Sequence, residues 1–114
     1  MSTKYQKIYE KSIADPEGFW LEIAKNIFWF KKPTKILNSD NPPFYKWFSD
    51  GVTNTCYNAI DLHVKNGQGE KVAIIYDSPI TKFKKKITYS QLKDQVSIFA
   101  GALKNQGIKK GDRV

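Results

Sequence analysis

A chain of 114 residues, 40% hydrophobic and 14% aromatic, is long enough for one modest core and too short for a multidomain enzyme, and its apolar content excludes a disordered tail. Cys56 is the sole cysteine, which excludes an internal disulfide and fits a reducing, cytoplasmic compartment. The formal net charge of +8 invites a nucleic-acid reading, but its placement argues against one. Residues 79–114 hold nine Lys or Arg against two acids, while the rest of the chain is close to neutral. Much of the excess is the run Lys82, Lys84, Lys85 and Lys86, and Arg113 is the only arginine, so a solvated loop is expected in place of a polyanion site. The opening residues lead into no apolar run, so no secretory signal is expected. The longest apolar windows, 27–30 and 72–76, are far too short to span a membrane.

Tyr5, Ile8, Tyr9 and Ile13 fall at helical spacing and predict a short helix over 5–14 with one narrow apolar stripe. Asp15-Pro16-Glu17 restarts the chain with an N-cap carboxylate, proline at the first helical position and an acid in the first turn. The helix that follows places Phe19 or Trp20, Ile23 and Ile27 on one side and ends in Phe28-Trp29-Phe30-Lys31-Lys32-Pro33. Lys35-Ile36-Leu37 reads as a short strand or extended arm before the polar loop 38–41. Pro42-Pro43 predicts an extended backbone leading through Phe44, Trp47 and Phe48 to a turn at Ser49-Asp50-Gly51.

Thr53 or Asn54 is positioned to cap a helix running to about Asn66, with Gly67 as its left-handed end. Tyr57, Ile60 and Val64 share one face, with Cys56 beside them. Asp61 and His63 point to different sides and form no dyad by themselves; a backbone or carboxylate partner is expected for the histidine. Gly67-Gln68-Gly69 lacks the third glycine of a phosphate-binding fingerprint. Val72–Tyr76 is an unbroken apolar strand that predicts cover on both faces, joined through a turn in 77–83 to the lysine run and Ile87-Thr88. Thr88-Tyr89-Ser90-Gln91 is a capping box opening a helix with Leu92, Val96, Phe99, Ala100 and Leu103 on one face, closed by Gly107. After the turn 109–113, Val114 reads as the first residue of another strand. A strand, an apolar-striped helix and a second strand make a crossover unit, so the expected fold is α/β, and an incomplete domain.

Five motifs in one order carry a family resemblance: Asp15-Pro16-Glu17-Gly18-Phe19-Trp20, then Pro42-Pro43-Phe44-Tyr45-Lys46-Trp47-Phe48 with Asp50-Gly51, then Asn54–His63, Thr88–Leu92 and Lys110–Val114. Together they resemble the N-terminal region of the AMP-forming acetyl-CoA and propionyl-CoA synthetases, with the wording of 54–61 closer to the propionyl branch. Leu62 departs from the family pattern, which carries Arg there. The resemblance implies an acetyl-CoA-synthetase-type N-terminal segment over 1–66 and the start of the adenylate-forming large domain over 67–114: a helical and extended arm, then the first strands and crossover helix. Full-length members use ATP, Mg and CoA. Their phosphate-binding loop, later acidic and Arg motifs and C-terminal Lys are absent from this sequence, so no catalytic, cofactor-binding or metal residue is assigned within it. The expected partner is the remainder of the synthetase large domain or a paralogue, with a non-enzymatic docking module and a small basic nucleic-acid binder as the alternatives.

Overall fold

The computed structural model describes residues 3–114. They divide into two compact units, 3–54 and 55–114.

In the first unit, helix α1 (Lys4–Ala14) begins where the Thr3 hydroxyl accepts from the Gln6 amide, at 3.2 Å. Its stripe of Tyr5, Ile8, Tyr9 and Ile13 faces outward, with Tyr5 and Tyr9 stacked at 6.0 Å. Asp15 caps helix α2 (Pro16–Ala24) as its sequence predicts, accepting from the Gly18 amide at 3.0 Å with Pro16 in the first turn. The helix stops well before the expected Phe28. Lys25, Asn26 and Ile27 donate three residues back, to Glu22, Ile23 and Ala24, so the last turn tightens. Ala24 then keeps its carbonyl occupied from outside the helix, where the Trp29 indole N–H donates to it at 2.9 Å. Ile27 therefore lies beyond the helix and not on its face.

Two-residue strands β1 (Leu37–Asn38) and β2 (Lys46–Trp47) pair antiparallel, and Lys31 bridges Val52. The segment between the strands is not the extended arm that two prolines suggest. The Pro42–Pro43 bond is cis, the prolines sit in a turn, and the Phe44 amide donates to Asn41 at 2.8 Å. Ala24 and Ile36, each 5% exposed, are the buried hydrophobic residues among those described.

The second unit opens with residues 55–68, which form a helix containing two wide turns, Tyr57–Asp61 and Val64–Gln68. Wide turns insert an extra residue per turn, yet Tyr57, Ile60 and Val64 still share the half-buried side while Cys56 is exposed. Helical geometry ends at Asn66, and Gly67 takes the left-handed conformation, φ 76°, as expected of a glycine in that position. Strand β3 (Val72–Ser78) and strand β4 (Phe83–Thr88) form an antiparallel hairpin, with an irregularity between Val72 and Ile74 and an unbroken register from Ile74↔Ile87 to Ser78↔Phe83. Helix α3 (Tyr89–Asn105) grows from the complete capping box: the Gln91 amide donates to the Thr88 hydroxyl and the Thr88 amide to the Gln91 side chain. Gly107, φ 84°, follows its end. Val114 is exposed and lies in no strand.

Candidate docking surface

In the first unit the Asp50-Gly51 turn ties the chain together. One carboxylate, that of Asp50, takes the Thr34 amide at 3.0 and 3.1 Å, the Thr34 hydroxyl and the Lys35 amide at 3.2 Å. These donors stabilise the charged form. The Thr34 hydroxyl, followed by the Thr34 amide, holds the Asp50 carboxyl at about 2, below its ordinary 3.8. The turn thereby fastens the loop at 33–35 across fifteen residues of chain. Phe48 supports the same join: with φ 52° it directs its amide to the Ile36 carbonyl, 2.8 Å away, beside the buried Ile36 side chain.

Gly51 is required at this join for space. A Cβ there would stand 2.7 Å from Trp29 Cζ3 and 3.2 Å from Pro33 Cβ. Trp29 can lie flat against the turn only because nothing projects from it, and its ring then meets Phe48 at 5.5 Å. Phe48 meets Trp47, Trp47 meets Trp20, and Trp20 meets Phe19, so one chain of ring contacts joins helix α2 to the 42–51 segment. The aromatic runs are thus spent on a scaffold, but only partly enclosed by it. Phe44, Tyr45, Phe30 and Trp47 remain exposed, and Leu21, Ala24, Ile27, Trp29 and Pro33 line an open cleft of about 210 Å³. Two surface carboxyls, Glu22 and Asp40, are held below their ordinary range by hydrogen bonds from Lys25 and Lys35, respectively.

The second unit has the same character on a different frame. Its loop into the hairpin is pinned to the helix start: the Tyr89 amide donates to Lys71 and the Ser90 amide to Gly69. Among the described residues, what meets His63 is not the backbone or carboxylate partner its sequence suggests but a ring: that of Tyr89, 4.7 Å away at the first turn of α3. Asp61 reaches the same helix by a different route, 3.7 Å from Lys93. The two residues are separated as their spacing implies and form no acid–base pair. No group of three or more His, Cys, Asp or Glu side chains that could hold a metal occurs among the described residues.

The largest difference from expectation is at β3. An apolar run over 72–76 predicts cover on both faces, yet Val72, Ile74, Ile75 and Tyr76 are all exposed, Ile75 to 71%. Helix α3 is half-buried at Leu92, Val96 and Leu103 but leaves Ile98 and Phe99 at 74% and 64%. Full burial of one such side chain contributes roughly 1.5–3 kcal/mol. Covering this set would contribute several times that, which the unit forgoes when nothing lies over it. Scattered exposed apolar residues need no explanation, whereas this many on short, regular elements is unusual for a protein surface.

These features define a class: a small mixed helix-and-sheet chain whose local frames are well tied and whose large apolar side chains largely face outward. Residues 5–59 match the family described as acetyl-coenzyme A synthetase N-terminus. The mouse protein "Acyl-CoA synthetase short-chain family member 3, mitochondrial" is 52% identical over 111 residues, covering 97% of this chain and 16% of that protein. An acetyl-coenzyme A synthetase of Bartonella bacilliformis is 50% identical over 113 residues, 96% of this chain and 17% of the relative. That of Streptomyces coelicolor is 48% identical over 106 residues, 93% and 16%. The chain belongs to the AMP-forming acetyl-CoA synthetase family and corresponds to its N-terminal region. It spans about a sixth of the length of the curated relatives it matches.

Proposed function

We propose that this chain is the structural N-terminal part of a short-chain acyl-CoA synthetase, which joins acetate or propionate to CoA with conversion of ATP to AMP and pyrophosphate. The observation that carries the reading is identity near one half along almost the whole chain to relatives about six times as long. In this reading residues 1–66 are the wrapping segment and 67–114 begin the adenylate-forming large domain. The partner is the remainder of that domain, to which the outward apolar residues turn. ATP, Mg and CoA are held by that remainder, and no side chain of this segment enters the chemistry.

Acyl-adenylate formation and thioester transfer depend on positioned charge around the phosphates. Asp50, the carboxylate most heavily bonded here, is taken up by Thr34 and Lys35, and the Asp77 carboxylate is paired with Lys84. No helix of the described residues is long and apolar enough to cross a membrane. Complementation tests the assignment. The Bartonella bacilliformis synthetase lacking its aligned N-terminal portion is mixed with this chain, and AMP release is followed with acetate or propionate, ATP, Mg and CoA. Activity that needs both pieces is expected, with none from this chain alone. Turnover by this chain alone, or no gain on mixing when the two pieces bind, overturns the assignment.

A further inference from the structure

The β3–β4 hairpin has two outer edges, and its strands differ in what they offer there. Strand β4 carries Lys84, Lys85 and Lys86 in succession, and Lys84 also pairs with Asp77 across the hairpin at 2.8 Å. A succession of lysines is a common way to keep another strand from adding to a sheet margin. Strand β3 carries Val72-Ala73-Ile74-Ile75-Tyr76, the composition of a strand covered on both faces and flanked on both sides. Yet among the described residues β3 pairs with β4 alone. Its irregularity is confined to the Val72–Ile74 step, so Ile74–Ser78 runs in unbroken register and presents a regular edge. A two-stranded sheet is marginal in water, and an apolar strand at its margin invites pairing.

We propose that β3 is an interior strand of a larger sheet: an extended segment from the remainder of the synthetase hydrogen-bonds along its free edge, and β4 forms the sheet's outer margin. The proposal rests on the synthetase reading above and adds which strand receives the partner. The occupant is part of the remaining chain because the relatives continue for about five times the length matched here. A second copy of this chain is the competing occupant, and the experiment separates the two.

The test is amide hydrogen exchange read residue by residue on the full chain, free and mixed with the truncated Bartonella bacilliformis synthetase. In the complex, amides of Ile74–Ser78 that exchange freely in the chain alone are expected to slow at least about tenfold, while the outward amides of Lys84–Lys86 exchange as before. Slowing at Lys84–Lys86 with Ile74–Ser78 unchanged overturns the proposal but leaves the synthetase reading intact. Slowing at neither, in a complex that forms and is active, does the same. Protection of Ile74–Ser78 in the free chain that rises with its own concentration makes a second copy the occupant and also overturns it. Failure of the two pieces to bind overturns both.

Discussion

The two units of this chain reach local order by opposite routes. In residues 3–54 the sheet is a pair of two-residue strands, and the fold depends on side chains that seize backbone: Asp50 on Thr34 and Lys35, the Trp29 indole on Ala24, the Thr53 hydroxyl on Phe28. In residues 55–114 the order is carried by a hairpin ladder and a seventeen-residue helix with both halves of a capping box. The first kind of structure is specified by a few irreplaceable contacts, so single substitutions should act on it sharply. The second distributes its stability over repeated hydrogen bonds and should yield gradually. All three tryptophans, Trp20, Trp29 and Trp47, lie in the first unit. Indole fluorescence therefore reports on that unit alone, and the comparison can be broken by experiment.

Gly51→Val should have the largest effect. The new side chain would begin 2.7 Å from the Trp29 ring, and the backbone or the ring must move. Overpacking of this kind costs about 1–3 kcal/mol. The expected result is a lowered urea midpoint and a red-shifted tryptophan spectrum in native buffer. A midpoint equal to that of the parent would mean that the Trp29 contact does not hold the turn.

Acid should act on the same join through Asp50. Its folded pKa of about 2 is depressed, so its contribution is complete above the unfolded value near 4 and is lost as pH falls from there towards 2. The tryptophan spectrum should shift within that window, and Asp50→Asn should remove the shift while weakening the unit at neutral pH. An unchanged acid transition in Asp50→Asn would assign the transition to other carboxylates.

Thr88→Ala is the corresponding cut in the second unit. It removes one half of the capping box and should cost about 1 kcal/mol, seen as lost helical circular dichroism with the tryptophan spectrum unaltered. Equal changes in both signals would show that the two units unfold together, and the contrast between them would fail.

Legibility in the sequence follows the same division. The N-cap at Asp15, the capping box at Thr88, Gly67 and Gly107 all rest on contacts within a few residues, and each was readable from the sequence alone. The misread features depend on distant or non-hydrogen-bonding partners. Helix α2 stops at Ala24 because Trp29 folds back on its carbonyl, and His63 is met by the ring of Tyr89. Asp50 was legible as a turn residue, but its sixteen-residue reach to Thr34 leaves no periodicity to find. The Pro42-Pro43 pair can be extended or turned, and the β1–β2 pairing that favours a turn is itself non-local. The outward apolar face was half legible: the run 72–76 is plain, while the exposure of Ile75 emerges only once the hairpin's register is fixed.

The smallest expected effect concerns the hairpin's charged pair. Asp77 and Lys84 face each other in register, with side chains 51% and 77% exposed, so Asp77→Asn should cost only about 0.2–1 kcal/mol and less in high salt. A ladder with many hydrogen bonds absorbs such a loss without a change in helical signal. If the substitution instead melted the second unit, its stability would reside in one contact, as in the first. The two halves would then differ in the kind of bond they use and not in how widely they spread their stability.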